Sequence, residues 1–146
     1  MSGPTAILDT NVFVSARNRG EVSYPACRRL MDRIDDGGLT ALVSTISIAE
    51  IRAGLEPAEA KAVWQAILSH LLTSPNYRVE AIDSSIAELA GEIRERNRLS
   101  LPDALIIATG KLRGAEFVIT QDRQLGRRQS VLGVRTPDGL ASGAHT

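Results

Sequence analysis

Hydrophobic and polar positions along the chain alternate between two rhythms. Short apolar, β-rich runs at Thr5 to Leu8, Leu39 to Ser44, Tyr77 to Ile82, Phe117 to Thr120 and Val131 to Thr136 read as buried strands. Between them, amphipathic helical patterns occupy residues near 24–36, 45–55, 57–73, 84–97 and 102–113. Gly37-Gly38, Pro57, Ser74-Pro75 and Gly114 punctuate the boundaries, because these residues end or bend regular structure. The alternation predicts a three-layer α/β/α fold, a central parallel sheet of about five strands with helices on both faces. In such sheets ligands bind beyond the C-terminal ends of the strands, where the strand order switches direction. Residues 1–136 read as one domain, and 137–146, small and polar, as a flexible tail.

Composition narrows the classes. A chain of 146 residues with 43% apolar and 23% charged side chains fits one globular domain. Aromatics are only 3%, too few for the stacking platforms of single-strand-binding sheets. Cys27 is alone, which excludes an internal disulfide framework and suits a reducing cytosol. No long apolar run and no charged-then-hydrophobic leader is present, so a cytoplasmic protein without membrane attachment is expected. The formal net charge is zero, yet the segment from Arg94 to Arg135 carries nine basic and four acidic residues. Fifteen of the 17 basic residues are Arg, whose planar fork suits phosphate. A solvated basic surface explains the skew equally well.

Four acids fall where apolar side chains would be expected. Asp9 ends the run Thr5-Ala6-Ile7-Leu8, and its plainer reading is a turn former or helix N-cap. Glu50 has Ile46, Ser47, Ala53 and Gly54 at three and four residues' distance, so its carboxylate lies on a small, apolar helix face and needs a cation, a proton or a salt bridge. Asp103 follows Ser100-Leu101-Pro102 in a capping-box-like helix start, and it opens the apolar run Ala104 to Ala108. Asp122 lies just past Val118-Ile119-Thr120-Gln121, again a natural turn position. All four can reach the C-terminal edge of the sheet. Carboxylates crowded there raise one another's pKa and favour a hard divalent cation with oxygen ligands.

The order Leu8-Asp9-Thr10-Asn11, Ile46-Ser47-Ile48-Ala49-Glu50-Ile51, Pro102-Asp103-Ala104-Leu105-Ile106-Ile107-Ala108-Thr109 and Thr120-Gln121-Asp122 resembles the PIN-domain ribonucleases, above all the toxin components of VapBC-type toxin–antitoxin systems. The likeness spans about residues 5–136. It implies a PIN-like fold and a Mg²⁺- or Mn²⁺-dependent endoribonuclease that hydrolyses RNA with a metal-activated water. By the same resemblance Asp9 and Asp103 would be the principal metal ligands, Glu50 and Asp122 would complete the acidic pocket, and Asn11 and Thr120 would orient them. A small antitoxin and a homodimer are the implied protein partners. Two positions depart from the family pattern: Leu125 replaces a frequent aromatic, and Gly110 a frequent alanine.

Other chemistries are poorly supplied. His70 sits among Ile67, Leu71 and Leu72 and reads as structural, while His145 lies in the expected tail. Cys27 has no evident partner histidine, and Trp64 reads as packing. No Walker-type phosphate loop occurs. The competing class is a non-catalytic PIN-like module that binds metal, RNA or partners without cutting.

Overall fold

The computed structural model describes residues 3–141. In chain order the elements are β1 (Thr5–Leu8), α1 (Thr10–Ala16), α2 (Tyr24–Asp35), β2 (Thr40–Ser44), α3 (Thr45–Gly54), α4 (Pro57–Thr73), β3 (Tyr77–Glu80), α5 (Ser84–Asn97), α6 (Leu101–Leu112), β4 (Phe117–Ile119), α7 (Leu125–Arg128), β5 (Gly133–Arg135) and α8 (Pro137–Ala141). The five strands form one sheet in the order β3-β2-β1-β4-β5, and every pairing is parallel. The expected α/β/α layering is the observed fold.

Successive strand side chains point to opposite faces, which builds two cores from each strand. Ala6, Leu8, Ala41, Val43, Phe117 and Ile119 pack with Val12, Leu30, Ile34 and Leu71 on one face. Ile7, Leu42 and Val118 pack with Ile86, Ala90, Ile93, Ile107 and Leu132 on the other. Burial on both faces explains why the strands read as unbroken apolar runs. The chain lays down β1, β2 and β3 in one direction, then crosses to the other side of β1 for β4. The switch therefore lies between β1 and β4, and Asp9 and Thr120 are the residues that follow those two strands.

Differences from the sequence reading have local causes. Helix α1 is absent from the expected set because it is seven residues rich in β-branched side chains, which favour strands; burial of Val12, Phe13 and Ala16 overrides that preference. Helix α7 is also unanticipated: it has only four residues and contains Gly126. Strand β3 stops at Glu80, where its partner β2 ends at Ser44, instead of running to Ile82. Strand β5 is trimmed to Gly133–Arg135, the residues that pair with β4. Residues Pro137–Ala141, expected to belong to a flexible tail, form α8: Leu140 is buried and its carbonyl accepts a 2.9 Å bond from Arg33 Nη1. The rest of that tail, 142–146, lies outside the described residues.

Gly110, one of the two departures from the family pattern, has a packing reason. A Cβ built there would stand 2.7 Å from Ile7 Cγ2 and 2.8 Å from Leu132 Cδ2. Only a glycine lets α6 lie this close to β1. Gly110→Ala is expected to overpack the interface and lower stability by about 1–3 kcal/mol. Chemical denaturation measures it, and an unchanged midpoint would refute the close contact.

Candidate active site

The C-terminal edge of the sheet gathers polar groups around Asp9. Its backbone N–H bonds to the carbonyl of Ile119 (2.9 Å), extending the β1–β4 ladder by one residue. Asp9 occupies the N-cap position of α1, but its side chain makes no capping bond. Instead Oδ2 accepts from Thr120 Oγ1 (2.7 Å) and from Asn11 Nδ2 (3.2 Å). The turn-or-cap alternative thus accounts for the backbone of Asp9 and leaves its carboxylate to the site.

Glu50 reaches the cluster through Thr10, whose Oγ1 donates to Glu50 Oε1 at 2.6 Å. Thr10 Oγ1 is also 2.8 Å from Ser47 Oγ. A hydroxyl has one proton, so with Thr10 donating to Glu50, Ser47 is the donor in the second bond. Glu50 has no salt bridge among the described residues.

Asp103 lies in the first turn of α6, where Ser100 Oγ accepts from its backbone N–H (3.3 Å). The reciprocal half of a capping box, a bond from the Asp103 carboxylate back to the helix start, is not formed among the described residues. Its carboxylate is left for the cluster. Asp122 behaves differently: Oδ1 accepts from Gln124 N–H at 3.0 Å, the turn role its position suggested. Only its backbone N–H joins the site, donating to Thr120 Oγ1 (3.0 Å).

Electrostatics orders these acids. Burial pushes the pKa of Asp9 upward; the Thr120 hydroxyl bond opposes that shift, and the charges of Asp103 and Glu50 add to it. The structure therefore brings Asp9, Asp103 and Glu50 into one electrostatic group. Among the described residues no three acidic, histidine or cysteine side chains are arranged to hold one ion directly. A hard cation with few protein ligands still suits the donor set, because Mg²⁺ keeps several waters and is bound through one or two carboxylates. A buried carboxylate with two acidic neighbours and no ion pair among the described residues is the observation that supports the fit.

Three contributors were not singled out in the sequence. Thr10 and Ser47 hold Glu50, and Gln121 bonds Asn11 through both its backbone N–H (3.3 Å to Oδ1) and its side chain (2.9 Å to the carbonyl). Their signal was adjacency to the acids in the motifs, which is too common to single them out. Cys27, His70 and Trp64 have structural roles. Cys27 is fully buried and its thiol is pushed up to about 11 by that burial. His70 pairs with Asp35 (3.2 Å) and packs edge-on against Tyr77 (5.2 Å between ring centroids). Trp64 packs against the core, and His145 lies outside the described residues.

The chain and its fold have relatives. A PIN-domain family model matches residues 6–130, and the chain belongs to that family. The chain is 32% identical over 116 residues to Ribonuclease VapC10 of Mycobacterium tuberculosis strain H37Rv, covering 76% of this chain and 78% of that protein. Its fold is shared by VapBC2 from Rickettsia felis bound to a promoter DNA fragment, with TM-score 0.67 and 21% identity over 90% of this chain and 98% of that one. DNA-bound VapBC from Salmonella typhimurium matches with TM-score 0.68 and 18% identity over 92% of this chain and 98% of that one.

The pKa direction at Asp9 fixes the sign of a stability change. A carboxyl whose folded pKa lies above its unfolded value of 3.8 favours the fold below that value, and the benefit is lost as pH rises through the folded pKa. At neutral pH the ionised Asp9 therefore opposes folding in metal-free protein. Asp9→Asn keeps an acceptor for Thr120 and Asn11, so it is expected to stabilise metal-free protein at pH 7 and to lose that advantage near pH 3. Asp103→Asn, which removes one like charge, should act in the same direction more weakly. Thermal melts across this pH range measure both, and destabilisation at pH 7 would contradict the shared cluster.

Proposed function

We propose that the chain is a metal-dependent endoribonuclease, the toxin of a type II toxin–antitoxin pair. The single observation that carries this reading is the buried Asp9 carboxylate at the β1–β4 switch point, with Asp103 and Glu50 beside it and no ion pair to it among the described residues. Membership of the PIN family and the likeness to Ribonuclease VapC10 support it.

Asp9 and Asp103 would hold Mg²⁺ or Mn²⁺, with Glu50 contributing through water; Asp122, whose Oδ1 is taken by its own turn, would contribute only through water at Oδ2. The ion supplies Lewis acidity at a phosphodiester oxygen and a water more acidic than bulk water. The protein's own groups do the rest. Thr120 and Asn11 donate to Asp9 Oδ2 and keep the carboxylate from turning. Thr10 occupies Glu50 Oε1, leaving Oε2 to orient a water or accept its proton. Arg94, Arg98, Arg127 and Arg128 are exposed and form no ion pair among the described residues, so their guanidinium groups are free to meet phosphates. Arg113 and Arg135 are already engaged, by Glu80 and Asp83 and by the Phe117 ring, respectively.

The partner we infer is a small antitoxin that covers the acidic edge, in keeping with the VapBC complexes that share this fold. A homodimer and a cytoplasmic location complete the reading; among the described residues no helix is long and apolar enough to cross a membrane. The engagement of Asp122 in its own turn favours, as a second reading, a non-catalytic module with the same pocket.

Labelled single-stranded RNA separates the two. Cleavage that needs Mg²⁺ or Mn²⁺, stops in EDTA and leaves 5′-phosphate and 3′-hydroxyl ends is expected. Cyclic 2′,3′-phosphate ends or undiminished cutting in EDTA would overturn the mechanism, and metal binding without cutting would favour the module. Either ion at a hundredfold excess over its dissociation constant should add about 2.7 kcal/mol of stability.

A further inference from the structure

Gln121 lies between Thr120, which bonds Asp9, and Asp122, which turns the chain. Its Nε2 donates to the Asn11 carbonyl (2.9 Å) and to Ser15 Oγ (2.6 Å), and its backbone N–H donates to Asn11 Oδ1 (3.3 Å). Ser15, itself buried, donates its hydroxyl hydrogen bond to Glu21 Oε2 (2.9 Å) in the segment between α1 and α2. The chain of bonds thus runs from Glu21 through Ser15, Gln121 and Asn11 to Asp9.

The direction of each bond matters. An asparagine amide can sit either way round, and here a backbone donor faces one end of it and a carboxylate the other. The N–H of Gln121 can donate only to the oxygen of Asn11, which turns Nδ2 toward Asp9 Oδ2 (3.2 Å) and Thr120 Oγ1 (3.4 Å). The side chain of Gln121 then fixes the first turn of α1 and the position of that N–H relative to Asn11. Without it, the same amide could rotate and present Oδ1 to the carboxylate, removing a donor from a buried acid.

We propose that Gln121 is a positioning residue of the acidic site: its carboxamide clamps α1 against the β4 exit, locks the orientation of Asn11 and so aims the Asp9 carboxylate. Ser15 and Glu21 extend this lock to the segment between α1 and α2, so strain in that segment is transmitted to Asp9. The inference rests on the proposed metal-dependent nuclease reading for its consequence, while the lock itself is a property of the metal-free protein.

Gln121→Met keeps the length of the side chain and removes both donors; Gln121→Ala removes it altogether. Both are expected to lower kcat on single-stranded RNA and the Mn²⁺ affinity by about 10–100-fold, the usual effect of losing a group that orients a ligand, with KM and melting temperature little changed. Glu21→Ala should show a smaller loss that Glu21→Gln, which retains an acceptor for Ser15, restores. In metal-free protein, ¹⁵N spectra should show the two Asn11 side-chain amide protons at displaced shifts and slowly exchanging with solvent in wild type, and moved toward ordinary asparagine shifts and exchanging fast in Gln121→Met.

Unchanged Asn11 resonances in Gln121→Met, or wild-type kcat and Mn²⁺ affinity in both Gln121 variants, would overturn the lock. A kcat loss that merely tracks a fall in melting temperature, with Glu21→Gln as impaired as Glu21→Ala, would reduce Gln121 to a structural tie. Wild-type protein that neither cuts RNA nor binds Mn²⁺ would defeat the nuclease reading, and the Asn11 spectra would still decide the lock.

Discussion

The hydrogen bond from Thr120 Oγ1 to Asp9 Oδ2 joins the ends of the two strands between which the sheet changes direction. A parallel sheet with helices on both faces opens a crevice at such a point. Here a carboxylate with 9% exposure occupies it, and that burial sets the terms for its surroundings. An ionised acid in a low-dielectric site is tolerable only with donors, a proton or a cation. Thr120 and Asn11 are the donors; Asp103 and Glu50 make the proton or the cation more necessary. On the proposed reading the site is a local excess of negative charge, created by folding, that a cation would neutralise.

The scaffold keeps that deficit in place. Ala6 and Leu8 point into one core and Ile7 into the other, so β1 is gripped from both faces and its last residue has little freedom. Helix α6 delivers Asp103 while lying close enough to β1 that Gly110 meets Ile7 without room for a methyl group. Helix α3 delivers Glu50 one turn after Ser47, and both converge on Thr10, the first residue of α1. Three helices and two strands thus fix three acids.

Much of this was legible in the sequence, for identifiable reasons. The parallel sheet could be read because buried parallel strands are continuous apolar runs, and Asp9, Glu50 and Asp103 stood out because each interrupts or abuts such a run. The short helices α1 and α7 were not legible: seven β-branched-rich residues and four residues around a glycine have no helical signal of their own, and tertiary contact supplies what propensity lacks. The polar partners were hidden for another reason. Thr10, Ser47 and Gln121 matter through distances of 2.6–3.3 Å across 37 to 110 residues of chain, and no local pattern encodes such a meeting. Asp122 shows the converse, a residue in the right motif whose carboxylate serves its own turn. The expected tail failed at Leu140, a single apolar residue in a polar stretch that finds a place against α2.

If Asp9 is a buried acid that a cation would neutralise, its own titration shows it most directly. Carboxyl ¹³C NMR of the metal-free protein should give Asp9 a midpoint above the ordinary aspartate range, and Mg²⁺ should move that midpoint down by competing with the proton. An ordinary midpoint that Mg²⁺ leaves unmoved would contradict the account.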